Sequence, residues 1–335
     1  MDLEQKSLRV GAVVIAATVA LRLLGSGALQ PLVKLLENPG VASFLIYLET
    51  GRIVRNPSKT VENWFAESPP PEISPQEPAL PVFSEGDLAL VDIRNVTDYQ
   101  PDTASLLEKP LQWDLTGSDP TVLILHTHTT ESYRKTEAED YQESSAYHSL
   151  DDNYNMVSIG DALAQRLEEA GIGVVHDRQI HDYPSYNGSY QHARFAMEEL
   201  LAQYPTVQLV LDIHRDAADV DGQQLATFAS IDGEPASQLM LVLGTDAGGL
   251  EHPNWQENLS LALKLQVTLE KQNPAICRNL ILRSSRFNQD LCPGALLVEV
   301  GAAGDTRNQA LQAVDALAEG IIALAGGSAT EYCAD

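Results

Sequence analysis

Positive charge is scarce in this 335-residue chain: Lys and Arg number 21 against 47 Asp and Glu, a formal net charge of −26. A phosphate backbone repels so acidic a surface, which sets nucleic acid aside as a partner. Cysteine is scarcer still, with Cys277, Cys292 and Cys333 alone. Those intervals form neither a zinc-finger spacing nor a disulfide scaffold. Cys277 and Cys292 stand either as a pair or as two unlinked buried thiols. Gly-x-Gly-x-x-Gly, the Walker loop, His-Glu-x-x-His and Gly-x-Ser-x-Gly are all missing. Their absence removes the sequence grounds for a dinucleotide fold, a P-loop enzyme, a helix-borne metalloprotease and a serine hydrolase. No internal repeat with a period of about 20–50 residues is present. What remains is a globular composition, 44% apolar and 20% charged, long enough for one large domain or two ordinary ones.

The organisation changes along the chain. Lys6 and Arg9 precede an apolar run from Val10 to Leu24 that is interrupted only by Thr18 and Arg22. A full span needs about 20 apolar residues, so the expected N-terminal membrane anchor, residues 1–35, is short, with Arg22 at the interface. A cleaved signal peptide is the rival reading, and either one exports the rest. Residues 36–115 read as a juxtamembrane region and Pro-rich linker, with an apolar patch at Val41–Leu48 and a stiff stretch beginning Ser68-Pro-Pro-Pro71. One strand candidate, Asp87–Val96, leads into the main domain, expected at 116–330.

That domain alternates strand and helix patterns. Apolar runs end at Leu125, His176, His214, Gly244 and Val300, and helical periodicity marks 157–170, 190–204, 254–271 and 308–324. Strand, helix, strand is the unit of a parallel sheet, so the fold class is α/β.

Three of these strands end in polar groups of one chemical kind. The first leads into His126-Thr-His-Thr-Thr-Glu131, the second into Asp212-Ile-His-Arg215, and Glu299 interrupts the apolar run Leu296–Gly301. Open sheets bind ligands at the carboxyl ends of strands. Two imidazoles and a carboxylate, His128, His214 and Glu131, make a catalytic zinc set with a position left for water. Glu299 is costly to bury unless paired or working, and fits the general base and acid. His126 lies two residues before His128. Along an extended strand both would face one side, which leaves it as an alternative ligand, a group behind the ligands, or a substrate contact. Asp212 is placed to orient His214. Arg215 is a candidate to hold a carboxylate or polarise a carbonyl.

His126-Thr-His-Thr-Thr-Glu-Ser-Tyr133, Val175-His-Asp177, Asp212-Ile-His-Arg-Asp-Ala217, Phe287-Asn-Gln-Asp-Leu291 and Leu297-Val-Glu-Val-Gly301 closely resemble the stage II sporulation protein P family. The resemblance runs from about residue 120 to 324 and extends to the plan of membrane segment, linker and C-terminal domain. It implies a three-layer α/β/α sandwich like that of zinc cell-wall amidases. It also implies a zinc-dependent N-acetylmuramoyl-L-alanine amidase with endopeptidase activity on crosslinks, acting on peptidoglycan in septal engulfment beside sporulation proteins D and M. Carried over from the related zinc carboxypeptidases, His128, Glu131 and His214 hold zinc and Glu299 is the base. Cell-wall amidases take their acidic ligand from farther along, where this chain has Asp151 and Asp152. In the implied mechanism Arg215 or Arg286 holds the stem peptide's carboxylates, and Asn288 and Gln289 read its amides. A cell-wall carboxypeptidase would use the same residues, and a non-catalytic wall-binding module would need neither zinc nor Glu299.

Overall fold

Leu209-Val-Leu-Asp-Ile-His-Arg-Asp216 shows how the sheet is read from the chain. Leu209, Leu211 and Ile213 point to one face, and Val210, Asp212 and His214 to the other. The computed structural model describes residues 80–221 and 223–326. The expected anchor and most of the linker therefore lie outside the described residues, as does Cys333. Among the described residues no helix is long and apolar enough to cross a membrane.

One sheet has seven strands: β1 (Ile93–Asn95), β2 (Gly117–Leu125), β3 (Ile172–His176), β4 (Leu209–Asp216), β5 (Leu239–Leu243), β6 (Leu280–Leu282) and β7 (Ala295–Ala302). Their order is β1-β6-β5-β7-β4-β2-β3. Every neighbouring pair is parallel except β5 and β7. The sheet is thus two parallel blocks running in opposite directions, and the expected mostly parallel α/β sheet is present. Short antiparallel hairpins pair Glu143–Ser145 with His148–Ser149, Asp219–Val220 with Gln223–Gln224, and Ala229–Ile231 with Glu234–Ala236.

The helices are α1 (Thr103–Glu108), α2 (Met156–Glu169), α3 (Ser189–Gln203), α4 (Trp255–Gln272) and α5 (Arg307–Leu324). Their ends carry the expected chemistry. The Asn155 side chain caps α2, and Thr306 with Gln309 forms a capping box on α5. Gly171, at φ 80, stops α2 where an L side chain would be strained. The layers are unequal. Val122, Ile124, Leu211, Ile213, Leu241 and Val298 pack under α2, α4 and α5, whereas Leu123, Leu125 and Val210 meet Ala193 and Met197 of α3. Met240, Val242 and Leu297 share that second face with Phe287 and Ile281. Three long helices cover one face, and one helix with loops covers the other.

The domain begins earlier than position 116. Leu107 and Leu115 are fully buried in the main core, and β1 extends the sheet beside β6. The strand expected at 87–96 is a 3-10 turn, Glu85–Leu90, followed by the three residues of β1. An edge position explains why so short and polar a segment escapes the apolar pattern. Cys277 and Cys292 are both free thiols.

Lys264 of α4 is 1% exposed, and among the described residues no carboxylate pairs with it. Its Nζ donates to Leu106 O at 2.8 Å, Ser260 Oγ at 2.8 Å and Ser260 O at 3.4 Å. Burial, helped by the charge of Lys109, brings its pKa down to about 8. Between that value and the unfolded value near 10.4 the unfolded chain binds the extra proton, so stability rises with pH across this window. Denaturant titrations at pH 8 and pH 10 are expected to show a gain on the order of 2 kcal/mol that Lys264→Met lacks. An equal gain in the variant would refute the assignment.

Candidate active site

Strand parity assembles the site. Asp212 and His214 of β4 and Glu299 of β7 lie on the thinly covered face, with Glu299 opposite His214 and Leu297 opposite Asp212 in the parallel register. On its other side Glu299 pairs with Met240 of β5. The Oε2 of its carboxylate is buried without a hydrogen-bond partner. Burial raises the Glu299 pKa well above the ordinary carboxylate range.

The same parity separates His126 from His128. Val122 and Ile124 face the helices, and His126 continues that side. Its Nδ1 donates to Ile213 O at 3.0 Å, and its Nε2 lies 2.8 Å from Nε2 of His176, which faces Asp161 at 3.1 Å. A Cβ on Gly160 of α2 would stand 2.4 Å from His176 Nε2 and 2.6 Å from His126 Nε2, so only glycine leaves room for the two rings. The expectation that His126 and His128 share a side is therefore corrected. β2 ends at Leu125, and the turn that follows sends His128 to the opposite face.

His128 meets His214 edge to face, with ring centroids 5.2 Å apart. Its Nδ1 is buried and has no hydrogen bond, and burial lowers its pKa. His214 Nδ1 faces Glu131 Oε2 at 3.5 Å, and its Nε2 lies 2.9 Å from Asp212 Oδ1, off the line of a hydrogen bond. Asp212 in turn accepts from Thr127 N at 2.8 Å and Thr127 Oγ1 at 2.6 Å. Burial opposes charge on His214, but Asp212 and Glu131 outweigh it and hold its pKa well above the usual imidazole value.

Glu131 is 5% exposed. Burial would protonate it, yet Arg215 and His214 prevail and keep its pKa low. The Arg215 Nη1 donates to Glu131 Oε1 at 3.1 Å, its Nε to Ser132 O at 3.0 Å and its Nη2 to Tyr147 O at 2.9 Å. That guanidinium is committed to the protein. It serves as the counter-charge of Glu131, not as a hold for a substrate carboxylate. Asp151 caps Asn153, and Asp152 pairs with Arg178 at 3.6 Å on the His176–Asp161 side. Neither joins His128 and His214.

Arg286 and Asn288 line a cleft of about 390 Å³ with Tyr190, Arg194, Leu250 and Phe287. Tyr190 links the cleft to the histidines, its ring centroid 5.5 Å from that of His128 and 5.9 Å from that of Phe287. Arg286 Nη1 reaches Asp290 and Glu251 O at 3.3 Å, so its other edge stays available. Asn288 donates to Tyr190 O at 2.8 Å. Gln289 is 2% exposed, accepts from Gly244 N at 2.7 Å and donates to Val242 O at 2.8 Å. The expectation that Gln289 reads a substrate amide is corrected: both ends of its own amide are spent inside the fold. Tyr186 stacks on His128 and has no counterpart among the sequence expectations. The aromatic, Pro- and Gly-containing stretch Tyr183-Pro-Ser-Tyr-Asn-Gly188 was its one visible signal.

The donor set suits zinc. His214 presents its Nδ1 to the buried carboxylate of Glu131, and the Nδ1 of His128 is buried without a partner. Among the described residues no three His, Cys, Asp or Glu side chains are placed together to hold a metal ion. Glu131 is turned onto Arg215 instead.

The sequence profile described as Stage II sporulation protein P (SpoIIP) matches residues 67–322. Stage II sporulation protein P of Bacillus subtilis (strain 168) is 29% identical over 294 residues, covering 84% of this chain and 67% of that one. Among solved structures, N-acetylmuramoyl-L-alanine amidase AmiC2 of Nostoc punctiforme is 18% identical, covers 62% of this chain and 97% of its own, and has a TM-score of 0.35. Ami1 of Mycobacterium smegmatis is 15% identical with coverages of 64% and 99% and a TM-score of 0.37. The fold assignment rests on the sheet order and not on these overlaps. Matched across most of its length by the family profile, this chain belongs to the stage II sporulation protein P family.

Proposed function

We propose that this protein is a zinc-dependent peptidoglycan hydrolase that cleaves the amide between N-acetylmuramic acid and the L-alanine of the stem peptide, with endopeptidase activity on crosslinks. Membership of a sporulation family supports the setting. The observation that carries the chemistry is the group of three buried, unpartnered atoms on one face of the sheet, His128 Nδ1, His214 Nε2 and Glu299 Oε2. Folded proteins leave few such atoms unpaired, and several in one place point to a ligand.

His128, His214 and Glu131 would hold the zinc. Bound there, it supplies a Lewis acid for the amide carbonyl and brings the pKa of an attacking water to about 7. Glu299 takes the proton from that water and returns it to the departing L-alanine amine. Its raised pKa suits both transfers, since a group that titrates near neutrality both accepts and donates. Asp212 orients His214, and Arg215 keeps Glu131 ionised inside the fold. The cleft beside Tyr190 receives the stem peptide, with Arg286 on one of its carboxylates. An N-terminal single-pass anchor would hold the catalytic domain outside the cytoplasm at the septal wall, beside sporulation proteins D and M, during engulfment.

Glu299→Gln is expected to keep the zinc content of the wild type and lower amide cleavage by at least about 10²-fold; near-normal turnover would sink the assignment. His214→Ala should abolish stoichiometric zinc by metal analysis. Mass spectrometry of digested cell wall should show intact stem peptides released from glycan, whereas free amino acids would mark a carboxypeptidase. The two arginines separate cleanly. Arg286→Gln should raise KM about tenfold for peptides with free carboxylates, at unchanged melting temperature. Arg215→Gln should instead cost about 3 kcal/mol of stability by leaving Glu131 buried and unpaired.

A further inference from the structure

Tyr190 stands where the cleft meets the histidines. It is the second residue of α3, and it lines the cleft together with Arg286, Phe287 and Asn288. Its ring meets that of His128 edge to face, with centroids 5.5 Å apart at 89°, and lies 5.9 Å from that of Phe287. The backbone is fixed from behind, since the buried Asn288 donates from Nδ2 to Tyr190 O at 2.8 Å.

The hydroxyl on this ring has no partner. Among the described residues no group bonds Tyr190 Oη, and the atom is not sealed from solvent. Tyr133 differs: it is fully packed and spends its O–H on Val300 O at 2.7 Å. A phenol that is largely out of water ordinarily finds an acceptor. Burial raises the Tyr190 pKa, and the charges of Asp212, Glu299 and Glu131 add to the effect. The hydroxyl thus lies in the field of the same carboxylates that surround the histidines, yet bonds none of them. It is a donor placed beside the chemistry with its acceptor still to come.

Other donors around the site are spent. Arg215 serves Glu131, Ser132 and Tyr147, Thr127 serves Asp212, and Gln289 donates to Val242. Amide hydrolysis needs a donor at the carbonyl oxygen, because adding water to the carbonyl carbon moves negative charge onto that oxygen.

We propose that Tyr190 is a catalytic residue whose phenol O–H donates to the carbonyl oxygen of the muramoyl amide as water adds to the carbonyl carbon. The inference rests on the amidase reading. Protons balance without it: Glu299 takes the proton of the water, the C–N bond breaks, and that proton goes to the departing amine. Tyr190 keeps its own. Its hydrogen bond strengthens as charge develops, so its loss falls on kcat and not on KM.

The test compares the full-length wild type with Tyr190→Phe, which keeps the ring against His128 and Phe287 and removes only the hydroxyl. With a muramoyl peptide as substrate, kcat should fall about 10²- to 10³-fold, the range for one such donor, with KM within about twofold. Zinc content and melting temperature should match the wild type. A phosphinate analogue, with tetrahedral phosphorus in place of the amide carbonyl, should bind the variant about 10²-fold more weakly, which calorimetry reads without turnover. Unchanged kcat, an unchanged phosphinate affinity, a loss confined to KM, or a loss of zinc would each overturn the role. A wild type that cleaves no muramoyl amide would refute the proposed reaction and this role with it. An active wild type beside an equally active variant would refute the role of Tyr190 alone.

Discussion

A carboxylate sealed from water persists as an anion only if positive charge is built in beside it, and the turn after β2 is organised by that requirement. Glu131 faces Arg215 on one side and His214 on the other. Arg215 also bonds the carbonyls of Ser132 and Tyr147, so the group that neutralises Glu131 anchors the next residue and the hairpin beyond it. The cost of desolvating the pair is offset by this full use of the guanidinium's planar fork. Without it Glu131 would be buried unpaired, and the contact between Glu131 and His214 would be lost.

The unequal layers follow from the same economy of polar groups. Asp212, His214 and Glu299 sit on alternate positions of two adjacent strands, opposite the leucines and valines that meet α2, α4 and α5. One more long helix over the second face would set apolar side chains against Asp212, His214 and Glu299. A single helix and a crossing loop at Phe287 cover that face instead.

Strands and helices were legible because burial leaves a period in the chain, and Asp212, His214 and Glu299 stood out as polar interruptions of apolar runs. The choice between His126 and His128 was not legible, since it depends on β2 ending at Leu125, a matter of one residue of backbone that no pattern records. Arg215 was legible as important but not in its role, because its partners at Ser132 and Tyr147 come from distant parts of the chain. Gln289 looked like a substrate contact for the same reason: a buried amide and an exposed one are spelled alike. Residues 85–115 merged with the Pro-rich linker in composition, and their inclusion in the fold rests on an edge strand of three residues, the fully buried Leu107 and Leu115, and apolar neighbours such as Tyr99 and Trp113 that pack against the core.

The reversed direction of β5 has an architectural consequence. Because β5 enters the sheet beside the end of β7, with Met240 next to Glu299, the chain that leads into β5 arrives at the same rim that the parallel strands leave from. The segment between β4 and β5, with its two hairpins at Asp219–Gln224 and Ala229–Ala236, therefore borders the chemistry without supplying any strand that carries it. Loops on a rim tolerate insertion far better than strands do. Insertions there would lengthen or reshape that border while Asp212, His214 and Glu299 stay in register.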